Sequence, residues 1–104
     1  MVTIIFRMKA KEGKEDEAVA RLRKMAEAVE AQEPETLAYV FHQSKQDPTE
    51  LVLFEVYTND DALQRHTRTE HMAELRNGLD AVADLSQVKA ERLDRVAGFV
   101  RATA

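Results

Sequence analysis

The chain has no cysteine and no tryptophan, and only two tyrosines and four phenylalanines among its 104 residues. Without cysteine there can be no disulfide, no thiolate nucleophile and no cysteine-based zinc or iron–sulfur centre. So few aromatic rings leave no stacking platform for nucleobases. A surplus of positive charge is also missing. The formal net charge is −4 and the pI about 5.4, which argues against a nucleic-acid or anionic-membrane surface. With only three glycines, the chain carries no G-x-G-x-x-G, P-loop or G-x-S-x-G motif, so nucleotide binding and serine hydrolysis find no support. No stretch is long and apolar enough to span a bilayer. The opening "MVTIIFRMKAK" has a short apolar run that charges follow at once, and it lacks a small-residue cleavage site, so a cytoplasmic location is expected.

What is present suits one soluble globular domain: 44% apolar and 33% charged residues, without repeats or low-complexity segments. A chain this short buries only about two thirds of its unfolded surface, which makes association with a second copy an early expectation.

Alternation over residues 2–10 puts Val2, Ile4, Phe6 and Met8 on one face of a strand. A turn at Gly13 leads into a helix whose first turn holds Glu15, Asp16 and Glu17, favourable at the positive end of the helix dipole. Ala18, Leu22, Met25 and Val29 line its apolar side, and "QEPET" ends it at Pro34. Residues 37–44 and 51–58 read as a hairpin around "KQDPTE", with Leu37, Tyr39 and Phe41 on one face. "TNDD" offers Thr58 as the N-cap of a second helical region, with Asp61 three residues on. That region carries Ala62, Leu63, His66, Met72, Leu75, Leu79 and Val82. A weaker strand falls near 86–93.

The order β-α-β-β-α-β is the ferredoxin-like plan, α+β, with a four-stranded antiparallel sheet covered by helices on one face. Ile5, Val52, Phe54 and Val56 leave the other face too apolar for water, and a homodimer packing sheet on sheet would cover it. The domain is expected to span 1–93. The tail 94–104, with Val96, Phe99 and Val100, is expected to pack on the partner.

Two histidines stand in "HTRTEH", at 66 and 71. On one unbroken helix they would point roughly 140° apart, and the four-residue spacing of helical zinc pairs is absent. Thr67 with Glu70, and Thr69, are potential caps that predict a break between them. With no third ligand marked in the sequence, a metal site is disfavoured. Glu55, in "LFEVY", sits mid-strand where both faces look buried. It is either a structural charge paired with Arg7, a histidine or a partner residue, or a pocket acid or base. Tyr57 is similarly either a core aromatic or a pocket donor. Leu53, Tyr39, Phe41 and Met72 read first as packing residues.

"LVLFEVYTNDDALQRHTRTEHMAEL" resembles the signature of antibiotic biosynthesis monooxygenase domains. There an apolar strand ends in Glu-x-Trp or Glu-x-Tyr, followed by D-x-x-A-L-x-x-H and a Ser/Thr-x-His-aromatic step. "EPETLAYVFHQSKQDPTE" is similar to the preceding hairpin, where the family often has "EPG-T-x-x-Y". The resemblance covers residues 2–93, and 51–75 is its specific part. It implies a dimeric α+β barrel and, for many members, oxidation of a quinol or polycyclic phenol by O₂ without metal or flavin. His66 would then be the base, Tyr57 and Glu55 orienting or proton-relay groups, and His71, Leu53, Met72, Tyr39 and Phe41 the pocket lining. Haem-degrading members use Asn, Trp and His where this chain has Phe6, Tyr57 and Arg76, which disfavours haem. Other members isomerise phosphorylated signalling sugars. For that chemistry, or the degradation of a small carbonyl metabolite, Arg7, Arg65 and Arg68 are the cations at hand. Tyr57 stands where the monooxygenases often carry Trp. A non-catalytic stress-response barrel is the third alternative.

Overall fold

The computed structural model describes residues 1–102. Its elements are β1 (Val2–Ala10), α1 (Glu15–Gln32), β2 (Thr36–Gln43), β3 (Glu50–Tyr57), α2 (Asp60–Thr67), α3 (Glu70–Arg76) and β4 (Ala83–Leu93), with a 3₁₀ turn at Leu79–Ala81. The strands form one antiparallel sheet in the order β2-β3-β1-β4. This is the expected ferredoxin-like α+β architecture. No helix among the described residues is long and apolar enough to cross a membrane.

Pairing fixes which side chains share a face, because directly opposed residues of antiparallel strands point the same way. Val2, Ile4, Phe6 and Met8 oppose Tyr57, Glu55, Leu53 and Leu51, and this face lies under the helices. Met8, Leu22, Leu51, Ala18 and Val82 make one buried apolar cluster beneath α1, while Val2, Ile4, Tyr57 and Ala62 make a second beneath α2. Glu55 falls between the two along β3. The helix α1 buries Ala18, Leu22, Met25 and Val29, as its spacing predicts, and stops at Gln32 ahead of Pro34.

Three local expectations are corrected. Leu37 does not share a face with Tyr39 and Phe41. Pairing shifts between Thr36 and Ala38, leaving Leu37 as the extra residue of a bulge and 53% exposed. The N-cap of α2 is Asn59, whose carbonyl oxygen accepts from the Ala62 N–H at 2.9 Å, rather than Thr58. The last strand begins at Ala83, earlier than its weak alternation suggests, because β4 bulges. Lys9 pairs with Asp84 but Arg7 with Lys89, so four residues of β4 oppose Met8 alone.

The second helical region does break between the histidines. The helix α2 ends at Thr67, and Thr69 caps α3, its hydroxyl accepting from the Met72 N–H. The far end of α3 is closed by Arg21, which donates to the Asn77 carbonyl at 3.1 Å. Gly78 follows with φ +85°, a conformation that favours glycine, and a Cβ there would press only on the movable end of the Arg21 side chain at 2.8 Å.

The outer sheet face carries Ile5, Phe54 and Val52 half-buried and Val40 47% exposed. The tail passes one end of it, where Thr3, Phe54 and residues 94–100 surround a hollow of about 310 Å³. Val96, Phe99 and Val100 themselves remain exposed.

Candidate active site

Three helix ends bring the site together. Pro34 stops α1 so that Glu33 becomes its C-cap residue. The last turn of α2 presents His66, and the restart at Thr69 turns His71 back toward it from the first turn of α3. Glu33 is the hub. The Nδ1–H of His66 donates to its carboxylate at 2.9 and 3.0 Å, and the Nε2–H of His71 donates to it at 2.5 Å. The Thr36 hydroxyl adds a bond at 2.8 Å. The side chains are nearly dry, at 10% exposure for Glu33, 5% for His66 and 10% for His71.

Below this triad lies the sheet. Tyr39 on β2 opposes Glu55 on β3, and the Tyr57 hydroxyl donates to Glu55 in a short hydrogen bond. The ring of His66 sits between two phenols, with centroids 5.4 Å from Tyr39 and 5.3 Å from Tyr57. His66, Glu55, Tyr57 and Tyr39 are therefore brought into one cluster, and Phe41 joins it edge-on to Tyr39 at 5.3 Å. Leu53 is packed in the sheet opposite Phe6 and Phe41. Met72 is half-buried on α3. Of the candidate cations, Arg7 lies on the outer face paired with Glu50 at 3.3 Å, and Arg65 is paired with Glu35, so neither serves this cluster.

An antibiotic biosynthesis monooxygenase family model matches residues 1–78. The chain belongs to this family. Among solved structures, it is 30% identical to a Pseudomonas aeruginosa protein over 92% of this chain and 94% of that one, with a TM-score of 0.83. It is 27% identical to an antibiotic biosynthesis monooxygenase over 93% and 100%, also at 0.83. A Mycobacterium tuberculosis protein at 24% identity, covering 93% and 96% with a TM-score of 0.81, shares the fold. A search of curated proteins found no match.

Burial and charge set the protonation states in this family member. Burial pulls the His66 imidazole below its ordinary 6.5, with His71 and Arg76 adding to the effect, and Glu33 only partly opposes them. Burial pushes the Glu33 carboxyl up, but the bonds from His71 and Thr36 and the nearness of His66 outweigh it, so Glu33 titrates below its ordinary 4.5. The two directions agree on one state, an anionic Glu33 accepting the Nδ1–H of a neutral His66, whose Nε2 then carries the lone pair. Nε2 has no bonding partner among the described residues. Glu55 is raised by burial, with the charge of Glu33 adding and the Tyr57 bond opposing. Both tyrosines are raised, first by burial and then by the charge of Glu55, and stay protonated donors.

A raised carboxyl works against folding at neutral pH. The stability that Glu55 contributes is complete below its unfolded value near 4.5 and is lost as pH rises through its higher folded value. Glu55→Gln is neutral at every pH and still accepts from Tyr57. It should therefore unfold at a higher urea concentration than wild type at pH 7.5, with the gap closing near pH 4. A midpoint at pH 7.5 at or below wild type would mean that Glu55 is well solvated.

Open clefts border the site, and one of about 400 Å³ between α1 and α3 is lined by His71, Met25 and Leu75. A second of about 390 Å³ runs between α1 and β2, lined by Leu22, Ala26, Tyr39 and Phe41. Another of about 460 Å³ continues it past Thr36. Tyr39 borders the last two, and its ring touches His66 on the inner side. Sequence reasoning missed Glu33. The signal lay in "EPET", which matches the hairpin motif, but the glutamate reads there as a helix terminus.

Proposed function

We propose that the protein oxidises a quinol or related phenol with O₂ and no organic or metal cofactor, using His66 as the base. The observation that supports this most is the Glu33–His66 bond. It holds the imidazole in the tautomer whose Nε2 is free, in a dry, aromatic-walled site. Substrate enters along the α1–β2 cleft and displaces the Tyr39 ring to reach His66. The phenolic proton passes to Nε2, and the anion that remains is electron-rich enough to react with O₂ directly. One oxygen atom enters the substrate at a ring carbon and the other leaves as water with two hydrogens that the substrate gives up, from one CH₂ carbon in an anthrone or from separate atoms in a quinol, so the substrate supplies all the electrons. Glu55 positions the Tyr57 hydroxyl, whose single proton turns from Glu55 to the developing oxyanion when substrate binds. A homodimer formed through the outer sheet face, with the tail reaching across it, completes this reading.

Oxygen consumption with a panel of quinols and anthrone-type phenols tests the proposal. Uptake matched to product, and none in the absence of substrate, is the expected result. Turnover of a carbonyl substrate under argon with no oxygen uptake would replace the oxidation with proton-transfer isomerisation by the same groups.

A further inference from the structure

The Glu33–His66–His71 triad holds more ligating capacity than a positioned base requires. One donor atom from each of the three side chains lies within 4.8 Å of the other two. Two imidazoles and one carboxylate, projecting from three separate element ends, make up a donor set that binds first-row divalent metals. A base needs only the Glu33–His66 pair, and His71 adds a second imidazole to the same carboxylate.

We propose that Glu33, His66 and His71 form a binding site for a single divalent transition-metal ion such as Zn²⁺. Nitrogen donors select against Mg²⁺ and Ca²⁺, which favour all-oxygen shells. Three protein ligands with no fourth among the described residues leave a position for water, as in open rather than closed zinc sites. Ligand atoms around an ion at bond lengths of about 2.0–2.2 Å stand roughly 3–3.5 Å apart. The His66–Glu33 separation of 2.9 Å already approaches this, and His71, at 2.5 Å from Glu33, has to move outward by only about 1 Å. Thr36, bonded to Glu33 at 2.8 Å, supplies the outer-shell contact that orients a ligating carboxylate.

Occupation has a consequence for the site, and this part alone rests on the oxidation reading. An ion on Nδ1 of His66 displaces the Nδ1–H···Glu33 bond and moves the ring proton to Nε2. The imidazole then has no lone pair left for a substrate proton. The metal-loaded and base-active forms exclude one another, and Zn²⁺ inhibits oxidation by the metal-free protein.

The test uses untagged full-length protein stripped with a chelator. Zn²⁺ is titrated against a chromophoric competitor, and Co²⁺ is followed by its visible absorption, both without substrate. One ion per chain is expected. Glu33→Gln and His71→Asn should each weaken binding by at least about 100-fold, beyond the 10–100-fold typical of an outer-shell group. His42→Ala, an exposed histidine on the outer face, should bind like wild type. Wild-type binding no tighter than that of Glu33→Gln, with both proteins folded by circular dichroism, would reduce the triad to a hydrogen-bond network. Because binding is read without substrate, absence of quinol oxidation leaves this result untouched.

Discussion

His66→Ala is expected to lower kcat for quinol oxidation by roughly 10²–10⁴-fold, the range that a positioned general base supplies. The argument rests on what surrounds the ring. It is 4% exposed, packed between Tyr39 and Tyr57, and tied through Nδ1 to Glu33. Water therefore cannot readily replace it as proton acceptor. Alanine also opens a cavity, so a companion variant is needed to separate chemistry from packing. His66→Asn keeps an N–H that can reach Glu33 but has no basic nitrogen, and it should retain most of the stability while losing the same rate. Single-turnover oxygen uptake on both variants decides the matter. A rate equal to wild type in His66→Asn removes His66 from the mechanism and returns the cluster to a purely structural role.

Glu33→Ala should be the most destabilising single change in the site, costing about 3 kcal/mol or more, since the buried N–H donors of His66 and His71 each lose their acceptor at about 1–3 kcal/mol apiece. The carboxylate satisfies the N–H groups of His66 and His71 and the Thr36 hydroxyl together. Its loss strands the two imidazole N–H groups in an interior that is nine-tenths closed to water. It also unties α1 from α2 and α3, because these contacts link residues 33 and 38 positions apart. Glu33→Gln retains an acceptor oxygen and should lose less. Urea unfolding at pH 7 measures both variants. A loss below about 1 kcal/mol for Glu33→Ala would match the behaviour of a solvated surface pair and would contradict the burial on which the site is built.

The Glu33 network and the short Tyr57–Glu55 bond use burial in opposite ways. Glu33 is held anionic by three donors. Glu55 has one phenolic donor in a setting that disfavours its charge. Two carboxylates of one site, Glu33 at the end of α1 and Glu55 on β3, are thus driven to different protonation behaviour, a separation that acid–base chemistry exploits.

Much of this molecule follows from local pattern. Alternation determines β1 and β3, the 18–22–25–29 spacing determines the buried side of α1, and Pro34 determines where that helix ends. Thr69 of "HTRTEH" predicts the break between α2 and α3, because a hydroxyl at a helix start satisfies amides that no other local group reaches. Thr67, expected as a cap with Glu70, instead ends α2 with its hydroxyl donating back to the Gln64 carbonyl. Glu55 and Tyr57 could be placed on one face from strand periodicity alone. The tertiary structure decided the rest. That Leu37 turns outward depends on a bulge defined only by pairing with β3. That β4 starts at Ala83 depends on its register against β1. Above all, the convergence of Glu33 with His66 and His71 is written in no local spacing, since it brings the end of α1 to residues 33 and 38 positions further along the chain. In sequence, "HTRTEH" holds two histidines without a third ligand. In the fold, burial compels their ring N–H groups to find an acceptor, and the carboxylate at the end of α1 is the one within reach.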